Sequence, residues 1–136
     1  MTIKEWGIRA PYDGPLTLEY KVGTDVNGVS SADFTSKQLL DANKGCSEFG
    51  GGIIRYAPND KVGEDPNSKS PTATEFFKTE DKSSYAYING YYYIFKHDQS
   101  LCSAINSASD PAAGIQSQTN DAVKSLIPKL VVIPAS

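Results

Sequence analysis

The chain of 136 residues is long enough to form one domain around a single buried core. Its formal net charge is −3 and its Lys and Arg residues are scattered, which argues against binding to nucleic acid or to an anionic membrane surface. The sequence contains no apolar run of about 18 residues, so the chain itself is not expected to insert into a membrane.

Composition predicts an extracytoplasmic setting. Cysteine is scarce, there is a single His, and Tyr, Ser, Thr and Asn are abundant in an acidic chain, which favours an oxidising compartment. Met1–Glu5 is polar and does not resemble a signal peptide. Because a strand-like segment follows at once, we expect an upstream export or anchor segment that has been removed.

Two strand-like segments open the chain. Apolar residues alternate loosely in Ile3–Ala10 and cleanly in Leu16–Val22, which predicts a half-buried antiparallel strand in the second segment. The turn signal at Asp13-Gly14-Pro15 would let the two segments pair as a hairpin.

The next two segments carry competing patterns. The stretch Asp25–Gly28 faintly resembles the start of a calcium loop, but the rest of the ligand pattern is missing, so a plain turn and no cofactor are predicted. Phe34–Leu40 fits a strand as well as a short helix capped by Ser31 or Asp33.

Cys46 and Cys102 are the only cysteines, and no C-x-x-C motif is present. Their wide separation suggests one long-range disulfide, which would stabilise the fold by about 4 kcal/mol if its geometry is unstrained. Two free buried thiols are the alternative. The nearby Gly50–Gly52 is not a phosphate-binding loop, since neither G-K-[ST] nor G-x-G-x-x-G accompanies it.

A strand and a long polar loop follow. Ile53–Ala57 is typical of a strand ended by Pro58. Residues 59–74 form the most polar window and predict a mobile loop, which is either a binding loop or merely tolerated length. Ordered structure is expected to resume at Glu75–Phe77.

The stretch Ser84–Lys96 holds five of the eight tyrosines. Asn89-Gly90 favours a type I′ turn, which predicts a β-hairpin that pairs Ile88 with Tyr91 and continues residue by residue from there. Both faces would be apolar and aromatic, as in a central strand pair covered on each side. The alternative is a short helix over Glu75–Tyr87 that ends at Asn89-Gly90.

Tyr85, Tyr87 and Tyr92 share one face of that hairpin and form the candidate binding surface. Tyr combines a large contact area with a polar tip, which suits recognition. A core strand whose hydroxyl groups reach the rim is the alternative explanation.

Asp110-Pro111 is the clearest helix start, with Asp as the N-cap and Pro in the first turn. The core-facing positions at helical spacing are Ile115, Thr119, Ala122, Val123, Leu126 and Ile127. Pro128 is expected to end the helix. Leu130–Ile133 would add a last strand or lie along the core, and we expect it to be covered in either case.

No residue is assigned to catalysis, and the chain is not predicted to be an enzyme. His97 is the only His, and a catalytic pair with Cys102 would require a free thiol. Cys46, His97 and Cys102 lack the spacing of a zinc site, so no metal is predicted. Arg9 and Arg55 are the only arginines, and a carboxylate pair at a strand edge is favoured over a ligand for both.

Together these features predict a single α+β domain over residues 1–136. We expect an antiparallel sheet with a C-terminal helix packed on one face and one disulfide. The predicted strands of the sheet are Ile3–Ala10, Leu16–Val22, Ile53–Ala57 and Tyr91–Lys96.

Four short motifs occur in a fixed order: Lys4-Glu5-Trp6-Gly7, Gly45-Cys46-Ser47, Gly90-Tyr91-Tyr92-Tyr93 and Cys102. In this respect the chain resembles small ectodomains of Saccharibacteria-type candidate-phyla bacteria, which follow one N-terminal hydrophobic anchor. The resemblance implies export, a Cys46–Cys102 bridge and a removed anchor. It assigns no catalytic residue.

The function predicted from these features is a non-catalytic extracellular or cell-surface binding or adhesion domain with a protein or other cell-surface partner. A contiguous exposed aromatic patch, or an ordered 59–74 loop, would favour it. One alternative is a structural subunit of an envelope appendage, such as a minor-pilin head, although pilins place their long helix first. The other is a small enzyme, which would need a concave pocket containing His97.

Overall fold

The computed structural model describes residues 1–63, 70–97, 102 and 110–134. The strands are β1 (Thr2–Ile3), β2 (Ile8–Arg9), β3 (Leu18–Thr24), β4 (Ser30–Ser36), β5 (Gly52–Tyr56), β6 (Tyr85–Ile88), β7 (Tyr91–Lys96) and β8 (Val131–Val132). The helices are α1 (Lys37–Ala42), α2 (Ala73–Lys78) and α3 (Pro111–Leu126). The predicted α+β class is confirmed, with antiparallel sheets, a packed C-terminal helix and one disulfide.

The main sheet has five antiparallel strands in the order β3-β4-β5-β7-β6. Its first strand is the segment with the cleanest alternation, although it begins at Leu18 rather than at Leu16. Leu18, Tyr20 and Val22 are half-buried against the core while Glu19 and Lys21 are exposed, so the predicted period of two is confirmed.

The N-terminal segment does not form the single predicted strand. A 3₁₀ turn over Lys4–Trp6 separates β1 from β2, and Gly7 follows it at φ 64°. The two short strands therefore pair with each other, Ile3 opposite Ile8, and β8 adds to them in a separate three-stranded sheet. The predicted hairpin between the first two segments is wrong, because β3 pairs with β4 instead.

The competing periods in Phe34–Leu40 both occur in the structure. The chain remains a strand through Ser36 and becomes α1 from Lys37. The cap is Ser36, not Ser31 or Asp33, and its Oγ accepts the N–H of Leu39 at 3.1 Å.

The loop over Asp25–Gly28 is a turn between β3 and β4. The Oδ1 of Asp25 accepts the backbone N–H groups of Asn27 and Val29 at 2.8 and 3.0 Å. Its carboxylate therefore closes the turn.

The tyrosine-rich hairpin has the predicted register, from Ile88 opposite Tyr91 to Tyr85 opposite Ile94. Asn89 and Gly90 have φ values of 56° and 85°, as the predicted turn requires. The alternative helix over Glu75–Tyr87 is wrong, since α2 ends at Lys78. One correction concerns position: β7 lies inside the sheet, but β6 is its outer strand, so the pair is not central.

The main core lies between the five-stranded sheet, α3 and the N-terminal strands. Its buried apolar residues are Ile3, Trp6, Ile8, Ala10, Ala32, Phe34, Ile53, Tyr93, Val123, Leu126, Ile127 and Leu130. The predicted cap is confirmed, because Asp110 Oδ1 accepts the N–H of Ala112 at 2.9 Å. Helix α3 ends at Leu126, just before Pro128. A 3₁₀ turn over Ile127–Lys129 follows it directly and includes Pro128.

A second apolar cluster surrounds the disulfide. The Cys46–Cys102 bridge is present, with 5.6 Å between its Cα atoms and no exposure of either residue. Leu39 of α1 and Ala112 and Ala113 at the start of α3 pack around it. The bridge thus joins the loop after α1 to a point close to the N-terminal end of α3.

The middle of α3 is buried but polar. Gln116 accepts the N–H of Cys102 at 2.9 Å, and Asn120 donates to the carbonyl of Phe49 at 3.2 Å. A Cβ on Gly50 or Gly51 would meet Thr119 or Asn120 at less than 3 Å, and Gly51 also has φ 85°. The glycine run therefore allows the loop backbone to approach the helix closely.

Two further expectations meet different outcomes. Within the predicted mobile loop, residues 59–74, Lys61 pairs with Thr72 and α2 already begins at Ala73, while residues 64–69 lie outside the described residues. The C-terminal segment is not fully covered, because Val131 and Val132 are 47% and 43% exposed in β8. Only Leu130 of that segment enters the core.

Within the described residues, no helix combines the length and apolarity needed to cross a bilayer.

Candidate binding surface

The three tyrosines predicted as a binding surface lie together on one face of the β6–β7 hairpin. The ring centroids of Tyr87 and Tyr92 are 4.6 Å apart, and those of Tyr85 and Tyr92 are 5.9 Å apart. The alternate residues of the hairpin, including Tyr93, pack on the opposite face into the main core. One stretch of sequence therefore supplies both a core and an outer aromatic face.

Helix α2 supports the outer face through Phe77. Its ring stacks on Tyr92 at 4.6 Å with an interplanar angle of 6°, and it contacts Tyr85 at 4.7 Å. Tyr56 on β5 and Phe76 on α2 extend the ring contacts at 6.2 and 5.0 Å. We call the set Tyr56, Phe76, Phe77, Tyr85, Tyr87 and Tyr92 the outer aromatic cluster.

A capping box holds the six-residue helix α2 in place. Thr72 Oγ1 accepts the N–H of Glu75 at 3.3 Å, and Glu75 Oε1 accepts the N–H of Thr72 at 3.3 Å. The hydrogen bond from the Thr72 hydroxyl holds the pKa of Glu75 below its ordinary value, with smaller contributions from Lys61 and Lys78. The capping box therefore favours the charged form of Glu75.

Exposure separates the three tyrosines. Tyr87 is 57% exposed, whereas Tyr85 and Tyr92 are half-buried beneath Phe77. The outer strand that carries Tyr85 and Tyr87 has no charged residue, while the opposite edge strand, β3, exposes Glu19 and Lys21. Charges on an edge strand discourage pairing with other chains, so β6 lacks a protection that β3 has.

Arg55 lies on the other face of the sheet, among aromatic rings. Its Cζ is 4.4 Å from the ring centroid of Tyr91 and 5.3 Å from that of Trp6. Because β5 lies between β4 and β7, the predicted carboxylate pair at a strand edge is wrong for Arg55. Burial raises the pKa of Tyr93, and the positive charge of Arg55 offsets part of that effect.

His97 lines a separate depression of about 520 Å³ between the end of β7 and the C-terminal end of α3. Glu80, Ser83 and Lys124 also line it. Cys102 is joined to Cys46 and is therefore not a nucleophile in this form. Among the described residues, no group of three or more His, Cys, Asp or Glu side chains is placed to hold a metal ion.

The structure reveals partners that the sequence did not. Phe77 lies at the centre of the outer aromatic cluster, and Trp6 and Tyr91 meet Arg55, although none of these contacts was predicted. The pair Phe76-Phe77, two large apolar residues directly after a polar loop, was the sequence feature that could have indicated the contact of Phe77 with the tyrosines. No local signal could have brought the N-terminal Trp6 to Arg55.

No family model, no curated protein and no solved structure matches the chain. Its elements and its bridge define a disulfide-bonded α+β domain with two antiparallel sheets among the described residues. The resemblance to the candidate-phyla ectodomains stays a prediction.

Proposed function

We propose that the protein is a non-catalytic binding or adhesion domain that acts outside the cytoplasm and contacts its partner through Tyr85, Tyr87 and Tyr92. The observation that carries the proposal is the outer aromatic cluster, in which an exposed Tyr87 rests on rings that α2 fixes in position. The buried Cys46–Cys102 bridge supports an oxidising location.

The arrangement suits recognition for two physical reasons. A Tyr side chain has few rotatable bonds, so fixing it on binding costs little conformational entropy for the area it buries. The stacked Phe77 and Tyr92 already restrict the neighbouring rings, which lowers the cost further. A partner would meet a small rigid apolar surface with hydroxyl groups at its rim.

Direct binding to intact cells tests this proposal. We would label the purified protein and measure its binding to bacterial and host cell surfaces by flow cytometry, for the wild type and for Tyr87→Ser. Binding of the wild type should saturate, and Tyr87→Ser should weaken it by at least about tenfold, as expected for a central aromatic contact.

Val26→Ser is the matched control. Val26 is fully exposed in the turn between β3 and β4, away from the tyrosines, so this variant removes exposed apolar area without touching the proposed surface. Equal binding by Tyr87→Ser and the wild type, with the fold of both verified by circular dichroism, would show that the tyrosines are not the contact surface. Equal loss in both variants would indicate nonspecific apolar adsorption.

The proposed location has its own test. The protein isolated from its natural cells under alkylating conditions should have an intact mass 2 Da below that of the reduced chain, because forming a disulfide removes two hydrogens. Two alkylated cysteines in the native protein would place it in a reducing compartment and contradict export.

A further inference from the structure

Arg55 occupies an unusual position for a charged residue. It extends from an interior strand on the face that carries the main core, directly across from Tyr93 on β7. The guanidinium lies against Tyr91 and Trp6, and Trp6 in turn contacts Tyr93 with 5.6 Å between ring centroids. Trp6 and Tyr93 are only 8% and 1% exposed, so the rings that hold the guanidinium are themselves fixed by the core.

Two residues of this group are partly exposed. Arg55 is half-buried, and Tyr91 is 36% exposed. The rings lie against the guanidinium, whereas its N–H donors project in its plane, where a planar carboxylate can accept two parallel hydrogen bonds. The arginine is therefore oriented before any ligand arrives.

No carboxylate in the described part of the chain forms an ion pair with Arg55. Glu5, next to Trp6 in sequence, accepts the Tyr20 hydroxyl at 2.6 Å instead. Contacts with the rings and with the neighbouring Tyr93 hydroxyl stabilise the cation. These contacts leave the N–H donors of the guanidinium without an anionic acceptor. A partly desolvated charge is stabilised most strongly by an opposite charge that also accepts its hydrogen bonds.

We propose that Arg55, flanked by Tyr91 and Trp6, binds a carboxylate side chain of a partner protein. Arg, Tyr and Trp are the residues most enriched among the dominant contacts of protein interfaces, and here all three meet at one point. The site lies on the opposite face of the sheet from Tyr85, Tyr87 and Tyr92. It therefore goes beyond the proposed function and does not depend on that surface.

The two arginines of the chain make a direct test possible. A ¹H–¹⁵N spectrum of the guanidinium Nε–Hε groups should contain two signals, from Arg9 and Arg55, and the variant Arg9→Lys assigns them. The probe is N-acetyl-glutamate amide, and its neutral counterpart is N-acetyl-glutamine amide. We expect saturable movement of the Arg55 signal with the glutamate probe alone, while exposed Arg9 stays within the shift produced by sodium chloride at equal ionic strength.

A second set of variants separates recognition from structure. The backbone amide of Tyr91 reports on the site in variants that lack the guanidinium. Arg55→Lys keeps the charge but loses the paired donors, so it should weaken probe binding by at least about tenfold. Tyr91→Ala should weaken it while retaining the Arg55 signal. An unchanged spectrum elsewhere verifies that both variants are folded.

Three results would overturn the proposal. One is an Arg55 signal that moves no more than that of Arg9, which would leave the arginine with a purely structural role against the rings. Another is an equal response to the glutamine probe. The third is a response to glucuronate without one to the glutamate probe, which would assign the site to an acidic sugar rather than to a protein.

Discussion

The β6–β7 hairpin carries tyrosines on both faces, and the two faces differ in burial. Tyr93 is completely enclosed in the main core, against Trp6 and the other apolar residues of that core. Tyr87, on the outer face, is supported from one side by Tyr92 and is otherwise open to solvent. Because both residues are tyrosines, their different burial must come from the elements that pack on each face.

The covering elements explain this difference. The inner face meets α3, of 16 residues, together with the N-terminal strands. Among the described residues, the helix over the outer face is α2, of six residues, which places Phe77 over Tyr92 but not over Tyr87. Burial on the inner face contributes mainly to folding, whereas Tyr87 at the far end of the outer face stays exposed.

The largest effect is expected from Tyr93→Ala. Removing a fully buried aromatic ring opens a cavity and should lower the free energy of unfolding by about 4 kcal/mol. Urea denaturation followed by fluorescence would measure it. Tyr93→Phe is the control, since it keeps the ring and loses only the hydroxyl near Arg55, at a cost of about 1 kcal/mol. A loss below that of the control would show that the inner face is not part of the core.

Phe77→Ala should have the next largest effect. Phe77 is buried and holds the outer aromatic cluster together, so its loss should cost about 3 kcal/mol. Phe76→Ala removes a less buried neighbour and should cost clearly less. Equal unfolding midpoints for the two variants would mean that stacking on Tyr92 adds nothing to stability.

Thr72→Ala tests the anchor of α2 and should cost about 1 kcal/mol through loss of the N-cap. The same substitution should change how stability depends on pH. The hydrogen bond from Thr72 lowers the pKa of Glu75 in the folded protein, so the associated stability is present above the ordinary value of 4.5 and is lost as pH falls through the lowered pKa.

An NMR titration of the Glu75 carboxyl group would measure that effect. The pKa of Glu75 should rise towards 4.5 in Thr72→Ala. The carboxylate of Asp81, whose pKa is lowered by hydrogen bonds from Ser83, should titrate as in the wild type and serves as the internal control. A shift at both carboxylates would point to a change of fold rather than to the loss of the cap.

The smallest effect on stability is expected from Tyr87→Ser, within about 0.5 kcal/mol, because the side chain is mostly exposed. Tyr87→Ser is the counterpart of Tyr93→Ala. If the proposed function is right, Tyr87→Ser weakens binding strongly and changes stability little. Thermal unfolding, measured beside cell binding, would show whether stability is retained while binding is lost. A large loss of stability would assign Tyr87 to the core as well.

The sequence was sufficient wherever neighbours along the chain decide the outcome. Asn89-Gly90 specified the turn and hence the register from Ile88 opposite Tyr91 onward. Asp110-Pro111 specified the start of α3. The cysteines are a partial case: Cys46 could pair within the chain with Cys102 alone, but the sequence left two free thiols as the alternative, and the folded structure decided for the bridge.

Tertiary structure alone decided which segments meet across long distances in the chain. Gly7 reverses the N-terminal segment, so β1 and β2 leave the main sheet for β8, and this places Trp6 beside Arg55. The separation of a core tyrosine from an exposed one also came from outside the hairpin. The alternating pattern assigns residues to two faces, but which face is covered depends on packing free energy summed over remote elements, and no local pattern in the sequence contains that sum.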